Sequence, residues 1–122
     1  MEYTLRILKA KDLFLVTKII DKIGYKEFKN ALKDNDVLNA IKKDSKNLEK
    51  IGLEVVLEIS GIIISNFDKC ENELYALLSN LSGVDASEIK ELDLADFTEM
   101  VVEVLKEPKN RDFIKVASKL FK

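Results

Sequence analysis

The stretch LEKIGLEVVLEISGIIISNF, residues 48–67, decides the fold of this chain. Its apolar residues recur at helical spacing, and further Leu, Val and Ile residues broaden the stripe to nearly the full circumference. The most apolar part, residues 53–67, is interrupted by Glu54 and Glu58 and falls short of the roughly 20 residues that a membrane-spanning helix needs. The sequence therefore predicts a buried core helix and no membrane span.

Two helices are predicted before this stretch. From Asp12, the predicted N-cap, apolar residues recur at helical spacing up to Ile23, and Gly24 follows as a stop signal. Residues Tyr25 to Leu32 carry a second, shorter helix. The polar run 42–47 has no periodicity and predicts a loop.

The chain after the central stretch is also helical in pattern. Apolar spacing continues over 72–81, and two capping boxes begin at Asp85 and Asp93. Pro108 ends the helix that starts at Asp93, and a last helix covers about 110–121. The sequence predicts an all-α, single-domain helical bundle of five to seven helices over residues 1–122.

Two local features leave alternatives open. Tyr3, Leu5 and Ile7 alternate with other residues, which allows a short extended segment. That segment either pairs with another strand, such as one from a second copy, or leads into the first helix. Gly61 lies inside the central helix, where it marks the close approach of another helix or a bend.

Composition favours binding over catalysis. The chain has 122 residues, a formal net charge of −2, no His and one Cys. Without His it lacks the side chain that most often serves as general base or metal ligand. Cys70 alone can form no intrachain disulfide, and the N-terminal residues do not resemble a signal peptide, so a cytoplasmic protein is expected. We predict no enzyme activity, cofactor or metal.

The acidic residues near the end of the chain deserve a catalytic or metal interpretation first, but the sequence has no calcium-loop motif and no Glu-x-x-His motif. We interpret them as solvated residues and helix first-turn residues. Cys70 has no His to activate it and is interpreted as structural. The acidic set comprises Glu88, Glu91, Asp93, Asp96, Glu99, Glu103 and Glu107.

Charge is segmented along the chain, with +4 over residues 1–50, −10 over 51–107 and +4 over 108–122. The basic ends either complement the acidic middle within the fold, or the acidic middle faces a basic partner segment. Nucleic acid is not an expected partner, because the net charge is negative and Arg6 and Arg111 are the only arginines.

The last two predicted helices hold more apolar residues than one narrow stripe would bury. Core packing accounts for most of them, and the alternative is that some line a groove for a partner helix. The candidate partner-binding residues are Phe97, Met100, Val101, Val104, Phe113, Val116, Leu120 and Phe121.

Two segments of the chain resemble a known family. LRILKAKDLFLVTKIIDKIG, residues 5–24, and LDLADFTEMVVEVLKEPKNRDFIKVASKLF, residues 92–121, are similar to the opening and closing segments of small tail assembly chaperones from long-tailed phages and prophages of Gram-positive bacteria. The resemblance covers about 50 residues. It rests on helix patterns and not on a chemical motif.

The resemblance implies a protein that binds the aggregation-prone tape-measure protein and helps to load the major tail protein around it. In many such families a programmed frameshift adds a C-terminal domain that recruits the major tail protein. This chain would correspond to the short form, acting in the host cytoplasm and absent from the mature virion. Our own hypothesis is that the apolar helical surface shields helical segments of the tape-measure protein until tail-tube polymerisation displaces it, a role that suits a modest apolar groove with an acidic rim.

The alternative function is a small helical regulator or adaptor that binds a host or phage protein. Self-association is also expected, because the N-terminal segment lacks a strand partner and the last helices carry excess apolar residues.

Overall fold

The protein is an all-α helical bundle. The structure is a computed structural model, and it describes residues 3–33 and 48–120. Within these ranges the chain forms seven α-helices, one short 3-10 helix and no strand, which confirms the predicted fold class. The predicted loop at 42–47 and residue Phe121 lie outside the described residues.

The helices follow one another with short connections. The 3-10 helix at Ala10–Asp12 runs directly into α1. The α-helices are α1 (Leu13–Ile23), α2 (Tyr25–Lys33), α3 (Leu48–Ser65), α4 (Phe67–Ser82), α5 (Ala86–Ile89), α6 (Leu94–Lys106) and α7 (Pro108–Leu120).

Glycines end two of these helices. Gly24 follows α1 with φ of 114°, and its N–H donates to the Ile20 carbonyl at 2.8 Å. Gly83 follows α4 with φ of 77°, and its N–H donates to the Ser79 carbonyl at 2.8 Å. Glycine takes positive φ without the steric penalty of a side chain, so α1 stops at Gly24 as predicted, and α4 stops at Gly83, just after the predicted apolar spacing ends at residue 81.

The core lies between α1, α3, α4 and α6. Helix α1 packs mainly on α4, α3 packs on α6, and α2 packs on α3. Each of these helices contributes a buried apolar stripe, as helical spacing requires. The largest fully buried side chains are Leu78, Leu81, Ile89, Met100, Val56 and Cys70.

The central helix is buried on one side and open on another. Val56 on α3 is fully buried, but its neighbour Leu57 is 56% exposed. A Cβ built at Gly61 would have no described atom within 4 Å, so Gly61 does not mark the close approach of another described helix. The prediction of burial around nearly the whole circumference is therefore wrong for the described part of α3.

The helical structure is interrupted at Asn66, although the helical spacing of apolar residues in the sequence continues through this position. The Asn66 side-chain nitrogen donates to the Ile62 carbonyl at 2.8 Å, and the Asn66 backbone N–H donates to the same oxygen at 3.1 Å. A short amide side chain thus competes for a helix carbonyl and favours a turn. Helix α4 then starts at Phe67, whose ring packs edge-on against Tyr75 and Phe97 at centroid distances of 5.5 and 5.4 Å.

The two predicted capping boxes stand where helices start, but their side chains do not make the predicted capping hydrogen bonds. Asp85 and Asp93 stand directly before α5 and α6, yet neither carboxylate accepts a capping hydrogen bond. At α5 the Asp85 backbone carbonyl accepts the Glu88 N–H instead, at 3.0 Å. The positions were predictable from residue type, and the side-chain hydrogen bonds are absent at these two caps.

The N-terminal lead, residues 3–9, belongs to no helix and is fixed by hydrogen bonds to distant helices. The Arg6 N–H donates to the Leu81 carbonyl at 2.9 Å, and the Tyr3 hydroxyl donates to Glu103 Oε2 at 2.9 Å. Burial and this bond raise the pKa of Tyr3 to about 12. Within the described chain this segment forms no strand and leads directly into the 3-10 helix before α1, as the lead-in alternative predicts.

The side chain of Asn110 ties the lead to the end of the chain. It is 2% exposed, its Oδ1 accepts the Leu8 N–H at 2.9 Å, and its Nδ2 donates to the Val104 carbonyl at 2.7 Å. One carboxamide therefore connects the lead, the C-terminal end of α6 and the first turn of α7.

Asp12 does not cap α1 as predicted. Its carboxylate accepts two hydrogen bonds from the Arg6 guanidinium, at 2.7 and 2.9 Å, and one from the Lys9 N–H at 2.8 Å. These bonds turn the side chain away from α1 and toward the lead. The hydrogen bond from Arg6 is the main cause that lowers the pKa of the Asp12 carboxyl.

We expect Asp12→Asn to lower the free energy of unfolding by about 1–3 kcal/mol at neutral pH, because a buried hydrogen-bonded charge is lost. The folded-state pKa of Asp12 is below its unfolded value, so its contribution is present above about pH 4 and is lost as the pH falls through the folded-state pKa. Urea unfolding between pH 7 and pH 2.5 measures this. Equal slopes of stability against pH for wild type and Asp12→Asn would contradict it.

We expect Asn110→Ala to lower the free energy of unfolding by about 1–3 kcal/mol, because the Leu8 N–H and the Val104 carbonyl both lose a buried partner. Asn110→Asp keeps the acceptor for Leu8 but loses the donor for Val104. Chemical denaturation checks both variants. The prediction fails if Asn110→Ala unfolds at the wild-type denaturant concentration.

Candidate functional site

An apolar cleft with a volume of 110 Å³ lies between the helices and the lead. Every described side chain that lines it is apolar, which makes it suited to hydrocarbon groups and poorly suited to water. It is lined by Leu8, Val16, Ile19, Ile20, Phe28, Ile59, Ile63, Leu74, Leu77, Leu78, Val101, Val104, Leu105, Phe113 and Ile114.

Three predicted partner-binding residues meet in this cleft. Val101 and Val104 from α6 form part of its wall, and Phe113 from α7 joins them. Val101 and Val104 are buried, whereas Phe113 is 38% exposed. Of the three, Phe113 is therefore the side chain that a partner can reach directly.

The remaining predicted residues are placed differently. Met100 is fully buried in the core, and Phe97 is buried against Phe67 and Tyr75. Neither lines the cleft. Val116 and Leu120 belong to α7, but their side chains are outside the described part. A binding role for these residues stays a prediction.

Sequence reasoning missed the half of the cleft that comes from the start of the chain. Leu8 of the lead and Val16 and Ile20 of α1 line it, and all three are half-buried. Their periodicity indicated only that α1 buries one face. The hydrogen bond between Leu8 and Asn110 joins the lead to α7, and no local pattern encodes that contact.

A second pocket, the basic pocket, adjoins the apolar cleft and has a volume of 220 Å³. The two share Leu8, Val16 and Phe113. The basic pocket is also lined by Lys9, Ala10, Asp12, Leu13, Lys109 and Asn110.

The charges of the basic pocket differ from the expected acidic rim. Asp12 is its one acidic lining residue among those described, and the Arg6 guanidinium neutralises it at 2.7 Å. Lys9 and Lys109 are both exposed. The described rim is therefore basic, because residues 9 and 109 come together from the two basic segments of the chain.

The acidic residues of α5 and α6 stand mostly at the surface, as interpreted from the sequence; Glu107, which follows α6, is half-buried. Within residues 3–33 and 48–120, no three of the His, Cys, Asp and Glu side chains are grouped so that they could hold a metal ion.

Glu73 of the acidic middle pairs with Lys22 of the basic first segment at 2.9 Å, and this bond lowers the pKa of the Glu73 carboxyl. Some charge complementarity between segments is therefore internal.

Cys70 is fully buried in the described core. Burial, with the nearby charges of Glu73 and Asp68, raises the pKa of its thiol. A raised pKa disfavours the thiolate, which is the reactive form. The geometry thus agrees with the structural interpretation of this residue.

Comparisons with known proteins add no relative to this description. No protein-family model, curated protein or solved structure matches the chain. None of the described helices combines the length and the apolar character that crossing a bilayer requires.

We expect Val16→Phe to change the free energy of unfolding by less than about 1 kcal/mol, because the ring can enter unfilled space in the cleft. The same substitution at fully buried Val56, which lines neither pocket, should destabilise the fold by about 1–3 kcal/mol through overpacking. Thermal unfolding compares the two. Equal destabilisation would show that the space beside Val16 is already filled.

Proposed function

We propose that this protein is a tail assembly chaperone that binds helical segments of the tape-measure protein in the apolar cleft. The resemblance of residues 5–24 and 92–121 to such chaperones names the partner. The observation that carries the proposal is the cleft itself, whose described walls are apolar and which Phe113 borders at 38% exposure.

The cleft has the chemistry that shielding requires. A tape-measure protein is long and aggregation-prone before the tail tube covers it, so its exposed apolar side chains need a temporary cover. Helices that dock in grooves insert apolar anchors spaced three or four residues apart. A 110 Å³ cleft accepts one or two such side chains, which gives an affinity that polymerising tube subunits can overcome.

The remaining parts of the proposal follow from the same role. The chaperone acts in the cytoplasm of the bacterial host and does not remain in the mature virion. The major tail protein is recruited through a longer, frameshifted form of this chain. Copies of the chain self-associate, although the lead uses hydrogen-bond partners within its own chain.

We expect a long tape-measure gene to lie beside this one. Co-expression of the two proteins should increase the soluble fraction of the tape-measure protein and give a complex that co-purifies. Phe113→Ala should weaken the complex about tenfold or more, because an aromatic anchor at the cleft is removed. Pull-down followed by titration measures the effect.

Phe14→Ala is the matched control, since Phe14 is 66% exposed and lines neither pocket. It should bind as wild type does. A tape-measure protein that neither co-purifies nor gains solubility with the wild-type chain would refute the chaperone function. Equal loss with Phe14→Ala and Phe113→Ala would remove the cleft as the binding site.

A further inference from the structure

The rim of the apolar cleft combines large exposed apolar side chains with lysines. Leu13 is 53% exposed and Phe113 is 38% exposed, and both line the basic pocket with Lys9 and Lys109. Large apolar side chains that stay exposed beside a polar border are typical of interaction surfaces. The pocket therefore offers a partner an apolar contact and positive charge in one place.

The positive charge of this pocket has no described counter-charge. Asp12 is engaged by Arg6, and the ion pairs recorded for the described residues include neither Lys9 nor Lys109. Glu107 accepts the backbone N–H of Lys109 at 3.4 Å but does not line the pocket. A carboxylate on an otherwise apolar body is the complement of such a surface.

The apolar cleft and the basic pocket adjoin and form one groove, and helices form most of the walls of this groove. Helix α1 contributes Leu13 and Val16, and α7 contributes Lys109 and Phe113. Grooves between helices typically bind an amphipathic helix. The described part of the chain has no strand whose edge could pair with an extended peptide, so a helical occupant is favoured.

The backbone of the rim is held in place before any partner binds. The Lys9 N–H donates to the buried carboxylate of Asp12 at 2.8 Å. Lys109 precedes Asn110, whose buried side chain accepts a hydrogen bond from the Leu8 N–H at 2.9 Å. Because less ordering is needed on binding, such a rim can select a partner by charge with a smaller entropic penalty.

We propose that the apolar cleft and the basic pocket together bind an acidic amphipathic helix of the partner. Its apolar side chains enter the cleft beside Phe113, and a carboxylate on the same helix lies at Lys9 and Lys109. This inference rests on the proposed function in taking a helical partner segment, and it adds the charge that the segment must carry.

The experiment uses the full chain and two synthetic helical peptides with the same apolar face and one Trp each. One peptide carries Glu residues beside the apolar face, and the other carries Lys at those positions. The chain itself has no Trp, so peptide fluorescence reports binding without a label. At low salt the wild-type chain should bind the Glu peptide about tenfold more tightly than the Lys peptide.

The double variant Lys9→Glu with Lys109→Glu should lose this preference or reverse it. Lys26→Glu with Lys69→Glu is the matched control, because both lysines are exposed, lie outside the two pockets and give the same change in net charge. The control should keep most of the wild-type preference. Circular dichroism and thermal unfolding confirm that both variants are folded.

Three results would overturn the inference. Equal affinity of the wild type for the two peptides shows that charge plays no part in the groove. Equal effects of the two double variants show a response to net charge and not to the rim. A dimer, measured by light scattering, that excludes both peptides shows that the groove is occupied by a second copy.

The test also separates this inference from the proposed function. A tape-measure complex that forms equally well with the Lys9→Glu and Lys109→Glu variant keeps the chaperone function and refutes the acidic helix. Selective binding of the Glu peptide without any tape-measure complex keeps the acidic helix and refutes the chaperone function.

Discussion

The buried carboxamide of Asn110 is the contact on which the rest of the described structure depends. It accepts a hydrogen bond from the Leu8 N–H and donates one to the Val104 carbonyl, so it joins the lead to α6 and α7. Leu8 lines the apolar cleft and Lys9 lines the basic pocket, and this bond acts with those of Arg6 and Asp12 to hold the lead there. Leu8 lines both the apolar cleft and the basic pocket, so this bond places a side chain that the two share.

A second buried polar group acts in the same region. Asp12 binds Arg6 and the Lys9 N–H, and thereby sets the turn from the lead into α1. Charged groups are rarely buried without partners, and here the carboxylate is enclosed by donors from residues that precede it. Asp12 and Asn110 therefore orient the two segments whose side chains form the rim, while the apolar residues between them form the walls.

Sequence patterns predicted the helices well because helical burial repeats over short distances. The spacing of Ile19 and Ile23 indicates one buried face of α1, and Gly24 marks its end. The cleft could be predicted only in part, since periodicity cannot distinguish buried Phe97 from exposed Phe113. The basic rim depends on residues 9 and 109 meeting in space, and the mean charge of a segment does not reveal such a contact.

The position of the lead also has a consequence for how the chain folds during synthesis. The Tyr3 hydroxyl donates to Glu103 and the Leu8 N–H donates to Asn110, so these two bonds can form only after residues about 100 positions further along the chain have been synthesised. Contacts of such high sequence separation form late, because a large loop must close first. The inner face of α1 has no main packing partner until α4 has been synthesised, and exposed apolar surface of this kind favours aggregation of a nascent chain.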